Sequence, residues 1–235
     1  MSSAGDITLP LDHPSAARAH RVYYALTNHC NRACPWCSTC SSPLGTTFLS
    51  LADFRARFPT QGAFEAQLEG GEPTLHPHFW QMVAAARSEP RCTRLVLCTN
   101  GVVLPRQEDR LKQWLARLGA PLTVKLSFNH HLIEKDAGLP ALAVLLQRLC
   151  QKANLDFVLN VRLRPDHDDA VAAALERTGL RAHANVFELQ AYGFASEEAW
   201  AKPFVVGQNF TLVNPDGSTQ GTDLVQRSEA MRVLP

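Results

Sequence analysis

Residues 94–128 read RLVLCTNGVVLPRQEDRLKQWLARLGAPLTVKLSF. Arg94–Cys98 is predicted as a strand, Gln107–Leu118 as a helix and Leu122–Phe128 as a second strand. Gly119 stands where a glycine closes a helix. The same rhythm runs outward in both directions. Arg21–Leu26, Phe64–Leu68, Asp156–Leu163 and Asn185–Ala191 read as further strands. Leu49–Phe58, Phe79–Arg87, Leu139–Lys152 and Asp168–Thr178 read as helices, with Ser50 at the start of the first and Gly179 after the last. Strands alternating with helices of this kind predict an α/β fold with a parallel sheet covered by helices. Such units form either an open doubly wound sheet or an incomplete barrel. Both arrangements put binding loops at the carboxyl ends of the strands.

The flanks differ from this core. Residues 1–19 are polar and rich in Pro, Gly and Ala, and are expected to form a loose arm before a core at 20–193. In the extension, 194–235, Phe204–Val206 and Phe210–Val213 look extended and Asn214-Pro215-Asp216-Gly217 is a turn signal. The expected result is a hairpin across one open side of the sheet, with no element assigned from Ser218 onward. Composition sets the class: 46% hydrophobic and 19% charged residues suit a folded domain. No run reaches the roughly 18 apolar residues of a membrane span. No charged and apolar leader opens the sequence, so export is not expected. A formal charge of +1 disfavours an extended nucleic-acid track. The odd set of seven cysteines has no disulfide-scaffold spacing and fits a reducing cytoplasm.

Chemistry concentrates after the predicted strands. Following the first is Cys30-Asn31-Arg32-Ala33-Cys34-Pro35-Trp36-Cys37. Three thiolates on one loop can converge on a soft metal centre such as an iron–sulfur cluster. Cys40 continues the spacing, so a four-thiolate zinc site and plain redox thiols are the competing readings. After the second strand, Gly70 and Gly71 permit a tight turn and Glu72 adds a carboxylate suited to an ammonium group. Thr99-Asn100-Gly101 follows the third strand, and Ser127, Asn129, His130 and His131 follow the fourth. Asn160 and Arg162 share one face of the fifth strand, where buried polar groups need partners. Gln190 ends the sixth. All these groups fall at one end of successive strands, which a structural zinc knuckle would not require.

With C-x3-C-x2-C at Cys30, Cys34 and Cys37, Gly-Gly-Glu-Pro at 70–73 and Thr-Asn-Gly at 99–101, residues 20–191 resemble the radical S-adenosylmethionine superfamily. The resemblance implies a partial (β/α)6 TIM-like barrel with a C-terminal hairpin. It implies that Cys30, Cys34 and Cys37 hold a [4Fe–4S] cluster whose fourth iron is open to S-adenosylmethionine. Glu72 would receive the amino group of that cofactor, after Gly70 and Gly71. Ser127, Asn160 and Arg162 would meet its carboxylate or ribose, Asn100 would belong to the same site, Trp36 would lie beside the adenine, and the backbone near Gln190 would meet its edge. The implied activity is reductive cleavage to a 5′-deoxyadenosyl radical that abstracts hydrogen from a substrate, as an oxidoreductase or lyase, with flavodoxin or ferredoxin as electron donor.

Cys40 is assigned to substrate or structure, since a fourth cysteine ligand would close the open iron. Cys98, His130 and His131 join it as candidates for work on the substrate. His29 is expected to support the cysteine loop, and His76 and His78 to cap the second helix. No cysteine follows Cys150, a departure from relatives with a cysteine-rich auxiliary-cluster extension. The substrate is expected to be a small molecule, a nucleoside-like molecule or a peptide. A glycyl-radical activase and a non-enzymatic zinc-binding module are the alternatives.

Overall fold

The computed structural model describes residues 19–202 and 209–233. Its strands are β1 (His20–Thr27), β2 (Phe64–Gly70), β3 (Cys92–Thr99), β4 (Leu122–Phe128), β5 (Asp156–Leu163), β6 (Ala184–Glu188) and β7 (Phe210–Val213). They form one sheet in the order β6-β5-β4-β3-β2-β1-β7, with every neighbouring pair parallel. The helices are α1 (Leu51–Ala56), α2 (Phe79–Ser88), α3 (Glu108–Leu118), α4 (His130–Lys135), α5 (Leu139–Lys152), α6 (Asp168–Thr178) and α7 (Leu224–Ala230). The result is a partly curled, open (β/α) barrel, as the alternation of strands and helices predicts.

Side-chain alternation explains the two faces of this sheet. In β4, Leu122, Val124, Leu126 and Phe128 join the apolar core under the helices, while Lys125 and Ser127 lie on the opposite face and line the barrel cavity. In β5, Phe157, Leu159 and Val161 take the core side, and Asn160 and Arg162 the cavity side. β2 does the same, with Phe64, Ala66 and Leu68 opposite Gln67 and Glu69. A closed barrel fills its interior with branched apolar side chains. Here that interior is polar and stays open.

The helices close over the apolar face. On α5, Leu139, Leu142, Ala143, Leu146, Leu149 and Cys150 are buried, the spacing of one helical stripe. Ser50 caps α1 by accepting the Asp53 N–H at 2.9 Å. Gly119 ends α3 at φ 74°, a conformation that costs a Cβ-bearing residue more.

Three elements differ from the sequence expectation or extend it. Residues 130–135 form a helix rather than a loop, because Asn129 accepts the Leu132 N–H at 2.9 Å and Leu132 is buried. α7 was unassigned. Its buried side chains are Arg227 and Ser228, so it carries no apolar stripe to read. β7 extends the sheet beside β1, and the chain turns at Asn214–Gly217, where the Gly217 N–H meets the Asn214 carbonyl at 3.0 Å. Phe204–Val206, the other expected arm of the hairpin, lies outside the described residues, as does most of the expected N-terminal arm. No helix among the described residues is long and apolar enough to cross a membrane.

Two stability predictions follow from this packing. Leu126 is fully buried, so Leu126→Ala should cost about 2–5 kcal/mol in urea unfolding. His76 donates from Nε2 to the Leu49 carbonyl and accepts the His78 N–H at Nδ1, both at 3.0 Å, so the fold requires the neutral ring. Burial pulls its pKa down from 6.5 to about 4. The unfolded chain therefore binds the extra proton between these values, and the stabilisation present above pH 6.5 is lost as pH falls toward 4. The unfolding free energy from urea titrations should fall through that window by on the order of 2 kcal/mol more in the wild type than in His76→Asn.

Candidate functional site

At the carboxyl ends of the strands a cavity of about 460 Å³ opens into the barrel. Cys30, Cys34 and Cys37 all line it, on the loop that leaves β1. That loop is fixed by backbone bonds to its neighbours. The Cys30 N–H reaches the Ser42 carbonyl at 3.0 Å, and the Gly71 and Glu72 N–H groups reach the Thr27 and His29 carbonyls at 2.7 and 2.9 Å. Gly71 is required by this approach, since a Cβ there would lie 2.1 Å from the His29 carbonyl oxygen. From the far side, the Phe194 N–H reaches the Cys37 carbonyl at 3.0 Å, and Gly193 leaves room for that contact. His29 supports the loop through Nδ1, 3.1 Å from the Gly45 carbonyl.

All three thiols are free. Burial pushes Cys30 and Cys34 up to about 12, so thiolate coordination here must release protons. Asn100 reaches from the loop after β3, with Nδ2 2.8 Å from the Asn31 oxygen and 3.6 Å from the Cys30 sulfur. Three sulfur donors on one loop, facing one cavity, have the chemistry of an iron–sulfur site. Among the described residues, no group of three His, Cys, Asp or Glu side chains is gathered tightly enough for a single ion.

Cys40 takes a different direction. It is fully buried at φ 49°, does not line the cavity, and its carbonyl accepts the Val233 N–H at 3.2 Å. Burial pushes its thiol up to about 11. The structure therefore does not bring Cys40 to the reacting space, either as a fourth ligand or as a substrate group.

Glu72 is also turned away from the cavity. It is fully buried, and its carboxylate accepts from the Thr74 hydroxyl at 2.6 Å and from the Thr99 hydroxyl and Asn100 N–H at 2.8 Å. Burial raises its pKa against these hydrogen bonds. A carboxylate so engaged ties the second and third rim loops together.

The other predicted residues divide cleanly. Trp36, Gly70, Gly71, Cys98, Asn100, Ser127, Asn160, Arg162 and Gln190 all line the cavity. Ser127 and Asn160 are paired in register across β4 and β5. The Arg162 guanidinium sits over the Phe187 ring at 4.3 Å, with Nη1 buried and unpaired. Trp36 has a buried, unpartnered Nε1. His130 and His131 do not line the cavity. His130 stacks on His167 with ring centroids 4.0 Å apart and packs against Trp36 at 4.6 Å, and burial lowers its pKa. His131 meets the Trp36 edge at 5.8 Å. Both histidines support the tryptophan and do not face the reacting space.

Sequence reasoning missed Tyr23, Gln67, Glu69, Lys125 and Arg227, which also line the cavity. Lys125 was detectable: it alternates with core residues in β4 as Asn160 and Arg162 do in β5. Arg227 came from the helix that had no readable stripe. Burial lowers the Lys125 pKa and pushes the Cys98 thiol beside it up to about 12.

No protein-family model matches the chain. It is 28% identical over 162 residues to the GTP 3′,8-cyclase of Chlorobaculum tepidum, covering 67% of this chain and 49% of that protein. It is 34% identical over 108 residues to the GTP 3′,8-cyclase of Cronobacter sakazakii, covering 42% and 32%. The chain thus spans about half or less of the length of these curated relatives. Its fold is similar to that of Streptococcus suis SuiB, crystallised with its precursor peptide SuiA, at a TM-score of 0.55 and 12% identity, covering 83% of this chain and 49% of SuiB.

The contact at Gly71 gives a direct test of how the loop is held. Gly71→Ala should destabilise the protein by about 1–3 kcal/mol in urea melts, because backbone and not a flexible side chain must move.

Proposed function

We propose that this chain, whose similarity to the GTP 3′,8-cyclases supports membership of the radical S-adenosylmethionine superfamily, is an enzyme that cleaves S-adenosylmethionine reductively and removes hydrogen from a bound substrate. One observation carries the reading. Three free thiols and the polar inner wall of the barrel share a single cavity, while Cys40 faces elsewhere. A zinc module built on four cysteines gains no support from that separation.

In this reading Cys30, Cys34 and Cys37 would hold a [4Fe–4S] cluster. Gly70, Gly71, Asn100, Ser127, Asn160, Arg162, Gln190 and Trp36 would hold S-adenosylmethionine. Bound there and reduced, such a cluster would supply the single electron needed to split the C–S bond of the sulfonium, the source of the hydrogen-abstracting chemistry. The remaining work belongs to the chain. The Gly70–Gly71 turn lets a ligand approach the backbone, and the in-register Ser127 and Asn160 offer hydrogen bonds at a fixed spacing. Trp36, backed by His130, gives a flat apolar wall, and Glu72 keeps the rim loops in register from behind. Holding a cofactor and substrate in one enclosed space aligns the reacting atoms and limits side reactions with water. The substrate belongs to the small-molecule, nucleoside-like or peptide classes, and a flavodoxin or ferredoxin would supply the electron.

Anaerobic reconstitution tests this reading. The wild type should take up about four irons with matching sulfide, and with dithionite should release 5′-deoxyadenosine from S-adenosylmethionine. Cys37→Ala should lose both properties and Cys40→Ala should keep both. Zinc in place of iron, or loss of cleavage in Cys40→Ala with its fold intact, would contradict the proposal.

A further inference from the structure

The floor of the barrel carries a charge arrangement that the cluster and S-adenosylmethionine leave unexplained. Four side chains from three elements form a line across it. The Lys125 ammonium donates to the Gln67 carbonyl oxygen at 3.1 Å, and the Gln67 amide donates to Glu69. The other Glu69 oxygen accepts from Arg227 Nη1 at 2.5 Å. Two cations therefore share one carboxylate, with a neutral amide between Lys125 and that carboxylate. Arg227 is only 2% exposed, and its Nε and Nη2 have no hydrogen-bond partner. Glu188, the other acid lining the cavity, is exposed and faces Lys202.

A buried guanidinium with two idle donors, beside an ammonium answered by a neutral amide, is costly without a further anion. We propose, on the reading of this cavity as the reaction chamber, that Lys125 and Arg227 form an oxyanion subsite that receives a carboxylate or phosphate carried by the substrate. The chemistry fits the two donors: arginine presents paired N–H groups in one plane, and lysine adds a point charge with rotatable donors. Glu69 orients the guanidinium, and Gln67 keeps Lys125 from collapsing onto Glu69. The depth also fits. Lys125 lies two residues before Ser127 on β4, one inward-facing position further from the cysteine loop. A substrate held there by its anion would extend toward the rim, where the cysteines lie.

Calorimetric titration of the anaerobically reconstituted full chain with pyrophosphate and with glutarate tests the subsite and separates its two sources. At least one probe should bind, and the tighter of the two assigns phosphate or carboxylate. Lys125→Met and Arg227→Gln should each weaken that binding at least about tenfold, whereas Arg148→Gln, at an exposed ion pair on α5, should not. Lys125→Met guards against a folding failure in Arg227→Gln, which leaves Glu69 with only the Gln67 amide and no cationic partner. Failure of both probes to bind, or wild-type affinity in Lys125→Met, overturns the subsite. Cleavage of S-adenosylmethionine is measured on the same wild-type sample. Cleavage without anion binding defeats the subsite alone, and Lys125-dependent anion binding without cleavage defeats the proposed reaction alone.

Discussion

The site depends on one buried carboxylate. Glu72 is removed from water, and its charge is tolerable only because Thr74, Thr99 and the Asn100 backbone all donate to it. Those donors come from the turn after β2 and the end of β3. The Glu72 N–H adds a third strand end by donating to the His29 carbonyl. Three successive strand ends are thereby locked around a single group. Asn100, fixed by this lock, then turns its amide to Asn31 and the Cys30 sulfur. The cysteine loop is positioned by hydrogen bonds that begin outside the cavity.

The second constraint is the two-faced sheet. A parallel sheet under helices is usually apolar on both faces. Here β2, β4 and β5 each place polar groups inward, and an open barrel can leave those groups facing a cavity instead of packing them together. The segment after β7 then helps to close one side. Ser228 donates to the Ser38 carbonyl at 2.7 Å and the Val233 N–H reaches Cys40, so α7 is fastened to the cysteine loop while Arg227 points to Glu69. Fold, loop and floor are connected through these few polar contacts.

Much of this was legible in the sequence, for identifiable reasons. The strand–helix rhythm, Ser50 and Gly119 act locally, and local signals survive without knowledge of the tertiary structure. Asn160 and Arg162 were readable because strand alternation fixes which residues share a face. The direction of Glu72 was not, since it is decided partly by Thr99 and Asn100, one strand further along the chain but adjacent in space. Cys40 shares the spacing of Cys34 and Cys37, yet a left-handed backbone at φ 49° turns it out of the cavity. α7 escaped notice because its inward face is polar, and with it went Arg227.

Electron paramagnetic resonance of the dithionite-reduced, reconstituted protein addresses the central claim most directly, because it asks whether the three-cysteine loop leaves an iron open to a ligand. A reduced-cluster signal whose g-values shift on adding S-adenosylmethionine is the predicted result. A cluster signal indifferent to S-adenosylmethionine, or no cluster signal in a protein that binds zinc, would contradict the account.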